Sequence, residues 1–86
     1  MKKSIFTVYV PITEGQTQCN RLKQICIDNG LPITKIYNGF NFENGFFKYF
    51  YYSESVKVFQ VWNGEVSFYT QVTEAEFIEL LKEYKK

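Results

Sequence analysis

The segment 46–52 near the middle of the chain is aromatic at six of its seven positions and reads Phe-Phe-Lys-Tyr-Phe-Tyr-Tyr. Aromatic side chains favour β-strands, and alternate residues of a strand point to opposite faces of the sheet. A strand with one solvated face should alternate apolar and polar residues, and this one does not. The segment therefore predicts a strand with aromatic rings on both faces: Phe46, Phe50 and Tyr52 on one, and Phe47, Tyr49 and Tyr51 on the other.

Further strands are predicted on both sides of this segment. Ser4 to Val10 alternates β-branched and aromatic residues, and Pro11 should end that strand because proline cannot donate to a ladder. Ile33 to Tyr37 predicts a short second strand. The segment Phe40 to Glu43, between the turn signals Asn38-Gly39 and Asn44-Gly45, is either a brief strand or a structured loop.

A hairpin is predicted after the aromatic strand. Val56 to Trp62 and Val66 to Val72 are both alternating apolar runs, and Asn63-Gly64 separates them. An Asn-Gly pair between two such runs favours the tight turn of an antiparallel hairpin. These two segments should therefore pair with each other.

Two helices are predicted. The first runs from about Glu14 to Asn29, with Thr13 as N-cap, Gln16 as its capping-box partner and Gly30 after the last turn. Its apolar residues recur at helical spacing: Cys19, Leu22, Ile25 and Cys26. The second begins with the capping box of Thr73 and Glu76, and Val72 and Phe77 stand where a hydrophobic staple forms. Its buried stripe is predicted to be Phe77, Leu80, Leu81 and Tyr84.

These elements predict a single α+β domain over residues 1–86, in the order β-α-β-(β)-β-β-β-α. The fold should be a two-layer sandwich in which two helices cover one face of a mostly antiparallel sheet of four to five strands. Eighty-six residues fit one domain. No apolar run reaches the roughly 18 residues of a membrane span, and no signal peptide is recognisable, so the chain is expected to be cytoplasmic.

The composition argues against an enzyme. The chain contains no His, so it lacks the usual acid–base group near neutral pH and any His to activate a cysteine nucleophile. Cys19 and Cys26 lie two helical turns apart, about 10 Å, which is beyond disulfide reach of about 7 Å, and they are too few for a metal site. The five glycines form no phosphate-binding motif. A small enzyme that uses a pair of carboxylates in a pocket is the third alternative, but the acidic residues are scattered along the sequence. We therefore expect no catalytic residue, no cofactor and no bound metal.

The second face of the sheet has two interpretations. Tyrosines are tolerated on a solvated sheet, where they pair across strands. Alternatively, another chain covers the rings, since exposed aromatic patches mark interaction sites. The second interpretation predicts a protein-binding module, as a homodimer or with a different protein, with Tyr9, Phe47, Tyr49 and Tyr51 as its partner-binding residues.

Single-stranded nucleic acid is the alternative partner. Val8-Tyr9-Val10, followed by a helix and the Gly-Leu-Pro-Ile turn, resembles the first half of an RNA-recognition motif, and Gly45 to Tyr49 resembles its second aromatic motif. That family stacks bases on such rings. The chain departs from it because Ser53 to Ser55 predicts only a turn where the family has a helix. The net charge of +1 and the single arginine, Arg21, also provide little phosphate binding.

Most of the chain resembles the small accessory proteins that bacteriophages encode. The resemblance lies in a compact β-α-β start (Ile5 to Ile33), an aromatic meander and the closing run from Val72 to Lys82. It implies a non-catalytic inhibitor that evades host defence by binding a protein of a restriction, BREX-type or CRISPR complex. The resemblance assigns no functional residue.

Overall fold

The computed structural model describes residues 4–33 and 48–85. Their elements, in chain order, are β1 (Val8–Pro11), α1 (Gly15–Asp28), β2 (Tyr49–Ser53), β3 (Val58–Trp62), β4 (Thr70–Gln71) and α2 (Glu74–Tyr84). Two helices and one four-stranded sheet confirm the predicted α+β class. The order of strands along the sheet is β3-β2-β1-β4.

The sheet is mixed. β2 runs antiparallel to both β1 and β3, whereas β4 runs parallel to β1. A helix follows each of the two parallel strands, so both helices begin at the same edge of the sheet and run back across it. A salt bridge joins Arg21, in the middle of α1, to Glu74, the first residue of α2.

The core lies between the helices and one face of the sheet. That face contributes Val8, Val10, Phe50, Phe59 and Val61; the helices contribute Cys19, Leu22, Cys26, Phe77 and Leu81. Three rings form its centre: Phe50 stacks on Phe59 with centroids 5.5 Å apart, and Phe77 meets both edge-on at 5.3 and 6.0 Å. Burial of each such side chain contributes about 1.5–3 kcal/mol, so this cluster dominates the stability of the fold.

The predicted hairpin from Val56 to Val72 is wrong. Thr70–Gln71 pairs with β1 instead of β3, and the Val72 N–H donates to the Tyr9 carbonyl at 2.9 Å. This crossover lets Val72 enter the core, where it is 2% exposed, and starts α2 over the sheet. The Asn63-Gly64 pair therefore changes the chain direction without joining paired strands.

The first strand is shorter than predicted, because residues 4–7 form a turn. The Thr7 N–H donates to the Ser4 carbonyl at 3.0 Å, and the Phe6 N–H donates to Ser4 Oγ at 3.1 Å. Serine and threonine side chains offer the backbone such local partners in place of a ladder. The strand consequently begins at Val8.

The bounds of α1 agree with the prediction to within one residue, but its predicted cap at Thr13 is wrong. Glu14 is the N-cap and makes no side-chain capping bond. The buried Gln18 side chain instead holds the segment that precedes the helix: its Oε1 accepts from the N–H groups of Thr13 and Glu14 at 2.7 and 3.0 Å, and its Nε2 donates to the Pro11 carbonyl at 3.1 Å.

The capping box of α2 is confirmed. Thr73 Oγ1 accepts from the Glu76 N–H, and Glu76 Oε1 accepts from the Thr73 N–H, both at 3.1 Å. Of the predicted buried stripe, Phe77 and Leu81 are buried and Leu80 is half-buried, whereas Tyr84 is 53% exposed.

The other predicted strands are only partly described. Ile33 forms a single parallel bridge with Phe59 at the edge of β3; the rest of Ile33 to Tyr37, the segment Phe40 to Glu43 and both Asn-Gly pairs around it lie outside the described residues. The aromatic strand is described from Tyr49, as β2, and β3 begins at Val58 instead of Val56.

Candidate protein-interaction surfaces

The face of the sheet opposite the helices carries the predicted partner-binding tyrosines. Register aligns Tyr9, Tyr51 and Gln60 in one row across the strands, and Tyr49 opposite Trp62 in the next. We call these five residues the outer face. The predicted separation of the rings is confirmed within β2, since Phe50 points into the core while Tyr49 and Tyr51 lie on the outer face. Phe47 lies outside the described residues.

Tyr51 is covered by its own chain and is 6% exposed. Its hydroxyl accepts a hydrogen bond from Gln60 Nε2 at 3.0 Å, and its ring meets Tyr69 edge-on at 5.4 Å. Gly64 lies so close that a Cβ atom there would overlap the Tyr51 hydroxyl oxygen. Residues 63–69, here called the covering loop, therefore lie across part of the outer face.

Tyr9 and Tyr49 stay half-buried, and Trp62 is 51% exposed. The Tyr9 and Tyr49 rings meet edge-on at 5.2 Å, and the Tyr9 hydroxyl donates to Gln71 Oε1 at 3.0 Å. Two of the four predicted partner-binding residues are thus partly accessible, and they contact each other.

The covering loop is bonded to the sheet through Tyr69 and is stiffened by hydrogen bonds within it. The Tyr69 hydroxyl donates to the Tyr52 carbonyl at 2.6 Å, and the Tyr69 N–H donates to the Val66 carbonyl at 3.0 Å. Burial raises the pKa of Tyr69, and the charge of Glu54 adds to the shift. Glu65 accepts hydrogen bonds from the hydroxyl and N–H of Ser67, which lower the pKa of that carboxyl. Between these fixed points Phe68 is 94% exposed.

Within residues 4–33 and 48–85, most of the exposed large apolar side chains lie towards one end of the sheet. Ile27 and Tyr84 belong to the last turns of the two helices, Val56 to the turn between β2 and β3, and Phe68 to the covering loop. Phe6 lies between two of them: its ring contacts Tyr84 at 5.4 Å, and it lines a depression together with Phe68 and Glu54. We call the four exposed residues the apolar end.

Sequence reasoning missed the apolar end. Phe68 was assigned to a strand, and Tyr84 to the buried stripe of α2. One sequence signal for this end is Ile27, an apolar residue that does not lie on the predicted apolar face of the first helix.

A groove lies between the helices close to this end. It has a volume of about 420 Å³ and is lined by Ile25 and Asn29 from α1 and by Ile78, Leu81, Lys82 and Lys85 from α2 and its C-cap. Apolar side chains from both helices and two lysines thus line one groove, an arrangement suited to an apolar group that carries negative charge beside it.

The opposite edge of the sheet carries a polar pocket of about 320 Å³, where both helices begin. Arg21 connects its two carboxylates: Nη2 lies 2.7 Å from Glu14 Oε1, and Nε lies 3.0 Å from Glu74 Oε2. These hydrogen bonds raise the already high pKa of Arg21. Both carboxylates form ion pairs with Arg21, so we assign the pocket a structural role.

Both cysteines face the core from α1 as free, fully buried thiols. Burial raises the pKa of Cys19 to about 11 and that of Cys26 to about 12, which keeps both protonated and unreactive near neutral pH. Across residues 4–33 and 48–85, no group of three or more His, Cys, Asp or Glu side chains could hold a metal. In the same ranges, neither helix combines the length and apolarity needed to span a bilayer.

Comparisons with known proteins provide no relative. A scan against protein-family models found no match, and searches of curated proteins and of solved structures found no significant similarity.

Proposed function

We propose that this chain is a non-catalytic protein-binding module that contacts its partner through the apolar end. The observation that carries the proposal is that, within residues 4–33 and 48–85, four of the five exposed large hydrophobic residues lie towards that end, namely Ile27, Val56, Phe68 and Tyr84. Exposed apolar patches on small proteins mark interaction sites, and aromatic anchors contribute most of the binding energy in interfaces. The partly accessible rings of Tyr9 and Tyr49 provide a second, smaller contact area on the outer face.

Two observations support a role without catalysis. The whole sequence lacks His, and the two thiols are buried and protonated. The carboxylates of Glu14 and Glu74 are bound to Arg21, which leaves them poorly placed for acid–base chemistry. The absence of His, the buried thiols and the paired carboxylates therefore support binding over catalysis as the role of this chain.

Site-specific photo-crosslinking tests the contact surface. A photoreactive phenylalanine analogue at position 68 should capture a protein in the native host, because that side chain is exposed on the apolar end. The same analogue at Asn20, an exposed position on α1, is the matched control and should capture nothing above background. Equal capture at positions 20 and 68, or none at either, would contradict the proposal.

The resemblance to bacteriophage accessory proteins extends the proposal to a host defence protein as partner. Expression of the chain in bacteria with a restriction, BREX-type or CRISPR system should then raise the plating efficiency of a phage sensitive to that system. The Phe68→Ser variant should lose this effect while remaining folded. Unchanged plating in all three backgrounds would exclude these targets and leave the crosslinking result to stand alone.

A further inference from the structure

We propose that the apolar end is a reciprocal dimer interface, in which Phe68 of each copy inserts into the α1–α2 groove of a second copy of this chain. This inference rests on the proposed function and gives the apolar end a second copy of the chain as its partner, in place of a host defence protein. It connects two features that lie at the same end of one molecule: a protruding ring and an apolar groove with a basic rim.

Phe68 is presented on a supported loop. Its neighbour Tyr69 is fixed by the hydrogen bond to the Tyr52 carbonyl and by ring contact with Tyr51. Phe68 itself is 94% exposed, so its ring contributes almost nothing to the packing of its own chain. Because the adjacent backbone is fixed before binding, docking has to order only the Phe68 side chain, which has few rotatable bonds and therefore a low entropy cost.

The groove offers an apolar lining for such a ring. Ile25 and Leu81 come from the later turns of the two helices and Ile78 from the middle of α2, so the groove extends towards the helix ends. Phe68 lies towards the same end, where it lines a depression with Phe6, whose ring contacts Tyr84 at the end of α2. A two-fold axis through this end would therefore bring each Phe68 towards the groove of the other copy.

The charges around the two features are complementary. Glu54 lines the depression beside Phe68, and Glu65 lies three residues before Phe68 in the covering loop. Lys82 and Lys85 line the groove. Lys82 also contacts Glu79 at 3.2 Å, but the side chains of Lys82 and Glu79 are mostly exposed, so Lys82 remains available to a partner. Opposite charges around an apolar contact select orientation and exclude mismatched partners.

A second copy of the chain would supply both a groove for the Phe68 ring and a ring for the α1–α2 groove. In an isologous dimer each chain contributes one ring and one groove, so the contacts close and leave neither feature exposed. A standard interface buries about 800 Å² per partner, which is about a seventh of the 5585 Å² surface of this chain. Ile27, Val56 and Tyr84 lie at the same end and would enlarge the contact beyond the inserted ring.

Sedimentation equilibrium over a concentration series tests the dimer. The full chain should self-associate, and Phe68→Ser should weaken the association at least about 30-fold, as for a typical hot-spot residue. Ile78→Glu, which places a carboxylate in the groove, should weaken it similarly. Trp62→Ser is the control, since Trp62 is an aromatic residue on the outer face that is 51% exposed, and it should leave the association unchanged.

A mixing experiment distinguishes insertion from general stickiness. Phe68→Ser retains an intact groove and Ile78→Glu retains an intact ring, so an equimolar mixture should associate more strongly than either variant alone. Thermal denaturation should show all variants folded. A wild-type chain that stays monomeric up to its solubility limit, or a mixture no stronger than its components, would overturn the dimer. A monomer that still captures another protein at position 68 would overturn only the dimer and leave the proposed function intact.

Discussion

At the scale of single residues, the contact between Gly64 and Tyr51 fixes the covering loop on the outer face. A methyl group at Gly64 would overlap the Tyr51 hydroxyl oxygen and lie 3.0 Å from Cζ. Gly64→Ala should therefore lower the free energy of unfolding by about 1–3 kcal/mol, the usual cost of overpacking. In a Tyr51→Phe background the cost should be smaller, because the overlapping oxygen is gone. Denaturant titration of the four proteins measures this coupling.

Gly30→Ala is the control for that cycle. Gly30 has a φ of +68° and no atom near its Cβ position, so its substitution should cost about 1–2 kcal/mol through backbone strain alone. This cost should be the same with Tyr or Phe at position 51. If Gly64→Ala behaves like Gly30→Ala in both backgrounds, then the loop does not rest on the Tyr51 hydroxyl.

Tyr51 also shows why exposure could not be predicted residue by residue. The alternation of rings along β2 correctly places Tyr49 and Tyr51 together on the outer face. The two tyrosines differ in exposure because the covering loop lies over Tyr51. The path of that loop depends on the hydrogen bond from the Tyr69 hydroxyl to the Tyr52 carbonyl. A sequence pattern indicates which face a side chain lies on, but the cover over that face comes from contacts between distant segments.

At the scale of elements, local signals predicted the helices well and the pairing of β4 poorly. The Thr73–Glu76 capping box and the apolar spacing of α1 are decided within a few residues, so both helices were predicted nearly to their bounds. The partner of Thr70–Gln71 is decided by the open edge of β1 and by the burial of Val72. The Asn63-Gly64 turn signal depends only on neighbouring residues, so it does not indicate whether Thr70–Gln71 pairs with β1 or with β3.

The buried face of α1 should make stability depend on pH in the alkaline range. Cys19 and Cys26 have folded-state pKa values of about 11 and about 12, above the ordinary value of 9.0. Their stabilising contribution is therefore complete below pH 9 and is lost as pH rises through these folded values. Each unit of raised pKa corresponds to about 1.4 kcal/mol at most. Comparison with the Cys19→Ala Cys26→Ala double variant, by denaturant titration from pH 7 to 11, isolates the thiols from ionising tyrosines and lysines.

The double variant should show the flatter pH profile, although its stability at pH 7 will be lower because of the lost side-chain volume. Parallel profiles for the two proteins would contradict the assignment. Thiol reagents give an independent measurement, since modification of the native protein at pH 8 should proceed only as fast as the helix opens.

At the scale of the whole molecule, the topology separates the exposed surface into two regions. Parallel β1 and β4 place both helix starts, with the Arg21 ion pairs, at one edge. The helix ends and the β2–β3 turn consequently lie at the other edge, which carries Ile27, Val56, Phe68 and Tyr84. These residues are far apart in sequence, so the apolar end follows from the crossover to β4 and not from a motif. The outer face with Tyr9 and Tyr49 is a separate region.

This separation yields a prediction for single-stranded nucleic acid, the alternative partner. The rings of Tyr9 and Tyr49 meet edge-on, which leaves little open ring face for a base, and the net charge of the chain is only +1. Phosphate binding by a nearly neutral protein releases few counterions and remains weak. Fluorescence titration with a labelled oligothymidine should therefore show no tight binding at 50 mM or at 200 mM salt. Tight binding that falls steeply between these two salt concentrations and is reduced by Tyr49→Ser, but not by Phe68→Ser, would instead assign the outer face to nucleic acid and require a different role for the chain.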